Sequence, residues 1–136
     1  MKKLIQVKEL EQCTCFNLRK MARELTNSYN NSLKSYSVNS TQIPILALLN
    51  IYNQIETSKI AELLNLEPST LRRNSSILIK KKLIKIVKRD ANGNLLKLTT
   101  SGYKKLNEIL PIWKKSNQTG KKLVKDYLQI LKKISK

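Results

Sequence analysis

The segment after Pro68 carries the side chains whose types and spacing are best suited to chemistry. A helical projection with Leu71 on the inner face gives an outer face of hydroxyls and cations: Ser69, Arg73, Ser76 and Lys80, flanked by Thr70 and Arg72. Guanidinium groups bond bidentately to guanine, and hydroxyls bond to bases or phosphates. The pattern indicates a helix that enters the major groove of DNA, and the alternative is an ordinary amphipathic helix with a charged solvent face.

The charge of the chain supports a polyanionic partner. Lys and Arg number 27 against 9 for Asp and Glu, so the formal net charge is +18. Between Pro68 and Arg89 there is no acid, and the same window holds Arg72, Arg73, Lys80, Lys81, Lys82, Lys85, Lys88 and Arg89. Biased codon usage explains part of the lysine count. It does not explain why three of the five arginines fall in this window.

The composition argues against catalysis, a cofactor and a metal. There is no histidine, and no motif combines a nucleophile, a base and an orienting group. The only cysteines, Cys13 and Cys15, lack two further ligands for a metal and cannot form a disulfide framework. Gln6 and Lys8 interrupt any apolar core of a signal peptide, and Ile43–Ile51 is too short to span a bilayer. We therefore expect a cytoplasmic protein that is not an enzyme and does not insert into a membrane.

Helical periodicity predicts the elements that position the segment after Pro68. Apolar residues recur at helical spacing over 13–36, and a second, centrally buried helix is predicted over 41–52. A third helix over 57–64 is followed at once by Pro68, which favours the first turn of a fourth helix over 68–82. Two helices joined by so short a turn form a helix-turn-helix.

A hairpin and a helical C-terminal part follow the fourth helix. Ile84 and Ile86 alternate with a lysine, as do Leu96 and Leu98, and Asn92-Gly93 between them favours a tight turn. This hairpin predicts a wing, with Lys88, Arg89, Asn92 and Asn94 reaching the DNA backbone or the minor groove. A fifth helix then begins within Thr99–Gly102, with a kink at Pro111 and a break near Gly120 before a last helix.

The fold class that follows is mainly α with a small β-hairpin wing. We expect one domain over 1–136, in which 41–99 form a winged helix-turn-helix lobe and 13–36 and 101–136 form dimerisation helices. A dimer would cover the apolar stripes of the terminal helices, which a small winged-helix core cannot cover alone. The alternative is that the two terminal helices pack on each other within one chain.

From Cys13 onward the sequence resembles the MarR family of winged helix-turn-helix regulators, and more closely a group of them with a Cys-x-Cys near the start. The matching pieces are Cys13-Thr-Cys15-Phe-Asn-Leu-Arg-Lys, Arg23, Tyr29, Thr41-Gln42, Ile60-Ala61, Pro68-Ser-Thr-Leu-Arg-Arg-Asn74, Leu83-Ile84, Leu98-Thr99, Gly102 and Leu110-Pro-Ile-Trp113. The chain departs from the family in having Lys82 instead of glycine, and in lacking the Asp-x-Arg of the wing.

The resemblance implies a homodimer that binds a pseudo-palindromic operator in double-stranded DNA and represses nearby genes. It assigns DNA contacts to Ser69, Thr70, Arg72, Arg73 and Asn74, although the helical projection turns Asn74 inward. It also implies a small-molecule effector, such as a phenolic anion, in a cleft between the dimer helices and the DNA-binding lobe. Oxidant sensing by Cys13 or Cys15 is implied as well, and the alternative is that both are small residues buried at the dimer interface.

Two other partners fit the charge. A module that binds structured RNA or the ribosome would share both the charge and the fold, but would favour hairpins or single strands over duplex DNA. A peripheral membrane protein would use the lysine-rich last helix on anionic lipid.

Overall fold

The computed structural model describes residues 1–91 and 93–134. The chain forms two compact units, one of Leu33–Pro111 and one of Met1–Ser32 together with Ile112–Lys136. The helices are α1 Val7–Glu11, α2 Thr14–Leu33, α3 Ile43–Tyr52, α4 Thr57–Leu64, α5 Pro68–Lys80 and α6 Thr100–Ile134, with a 3-10 turn at Lys34–Tyr36. The strands are β1 Gln54–Glu56, β2 Ile84–Asp90 and β3 Gly93–Leu98. The predicted class, mainly helical with a β-hairpin wing, is confirmed.

Helix α3 supplies the centre of the core of the unit Leu33–Pro111. Ile45, Leu46 and Leu49 are at most 1% exposed, which confirms the predicted buried helix, although its last turn is exposed at Ile51. The other fully buried aliphatic side chains of this unit come from every neighbouring element: Leu33, Ile60, Leu78, Ile84, Leu96 and Ile109. Burial of this apolar surface is the main favourable term that holds the helix-turn-helix together.

The turn between α4 and α5 is fixed by backbone hydrogen bonds. Asn65 takes a left-handed conformation (φ +50°), its N–H donates to the Glu62 carbonyl at 3.2 Å, and the N–H of Leu66 donates to the Ala61 carbonyl at 2.9 Å. This is the Schellman arrangement that ends a helix, and asparagine tolerates it better than most residues. Pro68 then opens α5 in its first turn. The predicted helix-turn-helix is therefore confirmed, with α4 at its predicted bounds.

A second Schellman arrangement ends α5. The N–H of Leu83 donates to the Leu78 carbonyl at 3.0 Å, and the N–H of Lys82 donates to the Ile79 carbonyl at 2.9 Å. Lys82 has φ +59°, in the left-handed region that favours glycine. The helix ends at Lys80, two residues before its predicted end.

The three strands form an antiparallel sheet in the order β1-β3-β2. The hairpin of β2 and β3, called the wing from here on, confirms the predicted one and pairs Ile84 with Leu98 at its base and Asp90 with Gly93 at its tip. A β-bulge lies between Ile86 and Lys88. Strand β1, which the sequence did not predict, adds three residues to the other edge of β3.

Helix α6 is continuous, so the predicted break near Gly120 is wrong. Gly120 lies inside the helix because its missing side chain accommodates α2: a Cβ there would lie 3.2 Å from the ring of Tyr29 and 3.3 Å from Leu25. The Tyr29 hydroxyl donates to Oδ1 of Asn117 at 3.3 Å, and burial raises the pKa of Tyr29. Pro111 also lies within the helix.

Within residues 1–91 and 93–134, no helix combines the length and the apolar character needed to cross a bilayer. In the same part of the chain, no three His, Cys, Asp or Glu side chains lie close enough together to hold a metal ion.

Candidate nucleic-acid interface

An open groove lies between α5 and the wing, with the start of α4 at one end. Three elements line it: Thr57, Ser58 and Ala61 from α4; Pro68, Ser69, Leu71, Arg72, Arg73, Ser75, Ser76, Ile77, Ile79 and Lys80 from α5; and Ile86, Arg89, Ala91, Gly93, Asn94 and Leu96 from the wing and its tip. The buried residues of α5 that anchor it are Leu71, Ser75 and Leu78. The inner face predicted around Leu71 is therefore the one that the structure buries.

Seven of the predicted contact residues line this groove. Six of them are exposed, namely Ser69, Arg72, Arg73, Ser76, Lys80 and Arg89, and the seventh, Asn94, is half-buried. No carboxylate is among the described residues that line it. Four cations around one concave surface, without an acid to neutralise them, produce a strongly positive potential. The groove is therefore suited to an anionic partner.

Thr70 and Asn74 lie on the other flank of α5 and are half-buried. The Asn74 amide donates to the Thr70 carbonyl at 3.2 Å. Its Oδ1 lies 3.3 Å from the hydroxyl of Thr41, but the single proton of that hydroxyl has a closer acceptor in Oδ1 of Asn39, at 2.6 Å. The Asn74 amide is thus engaged with the backbone of its own helix. Of the other predicted contacts, Lys88 is exposed but does not line the groove, and Asn92 lies outside the described residues.

The bulge decides which cation of the wing faces α5. In a regular strand the inner face that carries Ile84 and Ile86 would next carry Lys88. Lys88 instead pairs with Leu95, and Arg89 pairs with Asn94, on the same face as the buried Leu96. Because of this one-residue shift, the guanidinium group belongs to the face that lines the groove, and the lysine belongs to the opposite face.

The structure adds a residue that sequence reasoning missed as part of the site. The Thr57 hydroxyl at the start of α4 accepts a hydrogen bond from the backbone N–H of Asn94 at 3.1 Å and so ties the wing to the helix-turn-helix. Gly93 has φ +117°, and a Cβ there would lie 2.3 Å from Thr57 Oγ1. The glycine was visible in the sequence as a turn signal. Its contact with Thr57 was not, because the two are far apart in the chain.

Ser75 has an unusual environment within the groove. It is 5% exposed, and its Oγ is buried with no hydrogen-bond partner among the described residues. Such a hydroxyl has lost its hydration without compensation, which is unfavourable in the free protein.

Cys13 and Cys15 lie in the other unit, and both are exposed. Cys13 precedes α2, and its Sγ accepts from the backbone N–H of Phe16 at 3.5 Å, as an N-cap atom does. Oxidant sensing by either thiol stays a prediction.

Solved structures with the same fold exist for several regulators of transcription. The chain aligns with the M. tuberculosis transcriptional regulator MosR in complex with DNA at 26% identity, covering 77% of each chain, with a TM-score of 0.70. A second MosR structure aligns at 23% identity over 93% of each chain, with a TM-score of 0.74. A mutant of E. coli MarR complexed with operator DNA aligns at 19% identity over 86% of this chain and 89% of that one, with a TM-score of 0.70.

The chain has the MarR fold. The resemblance drawn from the short sequence pieces is thereby confirmed. No protein-family model matches the chain, and no curated protein sequence is similar to it at a significant level. In this chain α4 and α5 are the two helices of the helix-turn-helix. Lys82, which stands where the MarR family usually has glycine, occupies the left-handed position at the end of α5.

Proposed function

We propose that this protein is a sequence-specific, double-stranded DNA-binding regulator of transcription that acts as a homodimer in the cytoplasm. The observation that carries the proposal is the acid-free groove between α5 and the wing, where Arg72, Arg73 and Arg89 converge. The MarR fold supports it, since MosR and MarR have been solved with DNA. The proposed activity is binding, not catalysis.

The chemistry of each side chain in the groove indicates which kind of DNA contact it would make. Arg72 and Arg73 are the candidates for base readout, because a guanidinium group matches the two acceptors of guanine. Ser69 and Ser76 are suited to phosphate or base contacts, and Lys80 to phosphates. Thr70 and Lys88, and also Asn92, which lies outside the described residues, are retained as candidates for contacts with the DNA backbone. Asn74 is a weaker candidate than the others, because it is half-buried and its amide donates to the Thr70 carbonyl.

The dimer is supported by exposed apolar side chains in the unit that contains the chain termini. α2 and α6 pack on each other within one chain at Gly120, as the alternative to a dimer expected. That contact still leaves Leu4, Ile5 and Val7 exposed by 93%, 60% and 72%, and Leu128 and Ile130 by about half. A second copy would cover such a surface. Sedimentation equilibrium at micromolar concentration should give a dimer.

Selection from a random duplex pool is the decisive experiment for this function. We expect an inverted repeat whose half-sites are separated by about one helical turn, because a two-fold dimer presents two recognition helices. On the recovered site, Arg73→Ala should weaken binding by about 1–3 kcal/mol and relax the preference at one base position. Arg19→Ala, which removes an exposed arginine outside the groove, is the matched control.

RNA binding is the alternative that the same experiment must exclude. Competition with RNA hairpins should leave the complex with the selected duplex intact, whereas random duplex should compete weakly. Preferential displacement by RNA, or equal affinity for every duplex sequence, would contradict the proposal. Release of the operator by a small molecule or by an oxidant belongs to the same proposal and is tested on the same duplex.

A further inference from the structure

A second concentration of positive charge lies on α6, outside the groove. Over residues 112–134 the sequence holds seven lysines and a single acid, Asp126. All seven lysines are exposed, and we call them the lysine stripe: Lys114, Lys115, Lys121, Lys122, Lys125, Lys132 and Lys133. Nothing in the proposed readout by α5 and the wing uses them.

The stripe occupies one side of the helix. At about 100° per residue, Lys114, Lys121, Lys125 and Lys132 fall within roughly 40° of one another. Lys115, Lys122 and Lys133 lie about 80–100° from Lys114, all on the same side. The other exposed positions of the same stretch, apart from Asp126, carry no charge; examples are Trp113, Asn117, Thr119 and Ile130. Lysine that followed codon bias alone would be spread over all exposed positions. Its confinement to one side indicates a role for the charge.

The spacing of the stripe brings like charges together, which is unfavourable for the isolated helix. Lys121 and Lys125 are four residues apart, and like charges at that spacing destabilise a helix by about 0.2–0.5 kcal/mol per pair. Ordinary solvated helices relieve such repulsion with interleaved acids, as Lys105 and Glu108 do earlier in α6 at 3.4 Å. A polyanion that lies along the stripe would convert the repulsion into attraction.

The chemistry of the stripe favours nucleic-acid phosphates over a lipid surface. A helix that binds a membrane needs an exposed apolar face beside its cations. In α6 the exposed apolar side chains beside the stripe, Leu128 and Ile130, are the ones assigned above to the contact with a second copy, and on the opposite face Gly120 packs against Tyr29 and Leu25. The stripe extends about 28 Å from Lys114 to Lys133 at 1.5 Å per residue, which is the length of about eight base pairs of duplex.

We propose that the lysine stripe is a second contact surface for the phosphates of duplex DNA and that it binds them without regard to sequence. Lysine is a flexible point charge, suited to phosphates but not to bidentate base recognition, and the stripe contains no arginine. The inference rests on the proposed function, which it extends from sequence readout to sequence-independent affinity.

Salt dependence of binding tests the stripe. The probe is a 30-base-pair duplex without the selected site, and binding is followed by fluorescence anisotropy between about 50 and 200 mM salt. The parent protein carries Arg72→Ala and Arg73→Ala. Adding K114Q, K121Q and K125Q to it should make the negative slope of log K against log salt shallower by about 2.7, or 0.9 per lost phosphate contact. The affinity of the parent then falls about 40-fold more than that of the variant across this range.

The matched control removes three charges elsewhere, in K20Q, K34Q and K104Q, all at exposed positions. We expect the control to change the slope by less than 1. Equal slopes for the stripe and control variants would overturn the proposal. A second outcome would also overturn it: the protein binds vesicles with 30% phosphatidylserine, the stripe changes abolish that binding, and the salt slope on the duplex stays unchanged. The single variants K114Q and K125Q, each expected to lower the slope by about 0.9, keep the test valid should the triple variant unfold.

Failure of this inference is distinguishable from failure of the proposed function. If the stripe is inert, the wild-type protein still selects an inverted repeat from a random pool, and only the salt slope fails to respond. If the protein is not a sequence-specific regulator, no site is selected, whatever the slope shows.

Discussion

Replacing Lys82 with glycine should stabilise the protein. Lys82 follows α5 in a left-handed conformation (φ +59°), and its backbone makes one of the two hydrogen bonds that close the helix. A residue with a Cβ is destabilised by about 1–2 kcal/mol in this conformation. Glycine avoids that strain but loses about 0.5–1 kcal/mol more chain entropy on folding. The expected net gain is about 0.5–1 kcal/mol.

Urea denaturation of K82G and of Lys82→Ala measures this gain without the effect of charge. Both variants lose the same ammonium group, and only the alanine variant keeps a Cβ, so their difference in stability is the backbone strain less the additional chain entropy of glycine. At equal protomer concentration, K82G should have the higher midpoint, with a melting temperature higher by about 2–4 °C. Lys81→Gly is a second control: Lys81 has φ −76°, so glycine there should destabilise.

A glycine variant no more stable than the alanine variant would refute the reasoning. It would mean that Lys82 is not in the left-handed region in solution, and that α5 ends in another way. The end of α5 matters for function because the wing follows it directly.

Three further substitutions test the packing, at Gly102, at Gly120 and at Ser75 in the groove. Gly102→Ala should destabilise the protein by about 3 kcal/mol or more, because its Cβ would lie 1.8 Å from the backbone oxygen of Leu83. Gly120→Ala should change the stability by about 1 kcal/mol or less, because its Cβ would meet only side-chain atoms, at 3.2 Å or more. Equal thermal shifts in the two variants would contradict this difference. Ser75→Ala removes a buried hydroxyl without a partner, so stability should rise by up to about 1 kcal/mol with the operator affinity unchanged, and a tenfold weaker complex would instead make Ser75 a DNA contact.

The parts of the fold that the sequence predicts are those that local interactions determine. Helix α4 matches its predicted bounds because its apolar spacing and the left-handed Asn65 lie within one short segment. Pro68 fixes the start of α5 in the same way. The hairpin also follows from neighbouring residues, since two alternating strands meet around Gly93. Each of these signals lies within one short, continuous segment, the longest being Ile84–Leu98 of the hairpin, so periodicity and turn chemistry suffice.

The parts that the sequence did not predict depend on contacts between distant residues. Gly120 is a helix breaker by propensity, yet α6 continues through it because Tyr29 and Leu25 occupy the space beside it. Strand β1 has only three residues and exists through its pairing with β3, which no local pattern announces. The bulge near Ile86 is a property of two paired strands, so the alternation of one strand alone could not place Arg89 instead of Lys88 on the inner face.

In the candidate site, local sequence signals place residues on α5, and contacts between distant residues decide which of them are available to DNA. Together they identify which residues would discriminate between bases. The resemblance assigned DNA contacts to both Asn74 and the two arginines of α5, whereas the helical projection turned Asn74 inward. The structure agrees with the projection, because Asn74 is half-buried outside the groove and Arg72 and Arg73 line it. The Asn74 amide would have to break its hydrogen bond to the Thr70 carbonyl to reach a base, whereas an exposed guanidinium group opposed by no carboxylate in the groove loses only water. Base discrimination should therefore be concentrated in Arg72 and Arg73. Arg89, which the bulge places on the face that lines the same groove, should fix the orientation of the wing against the DNA backbone.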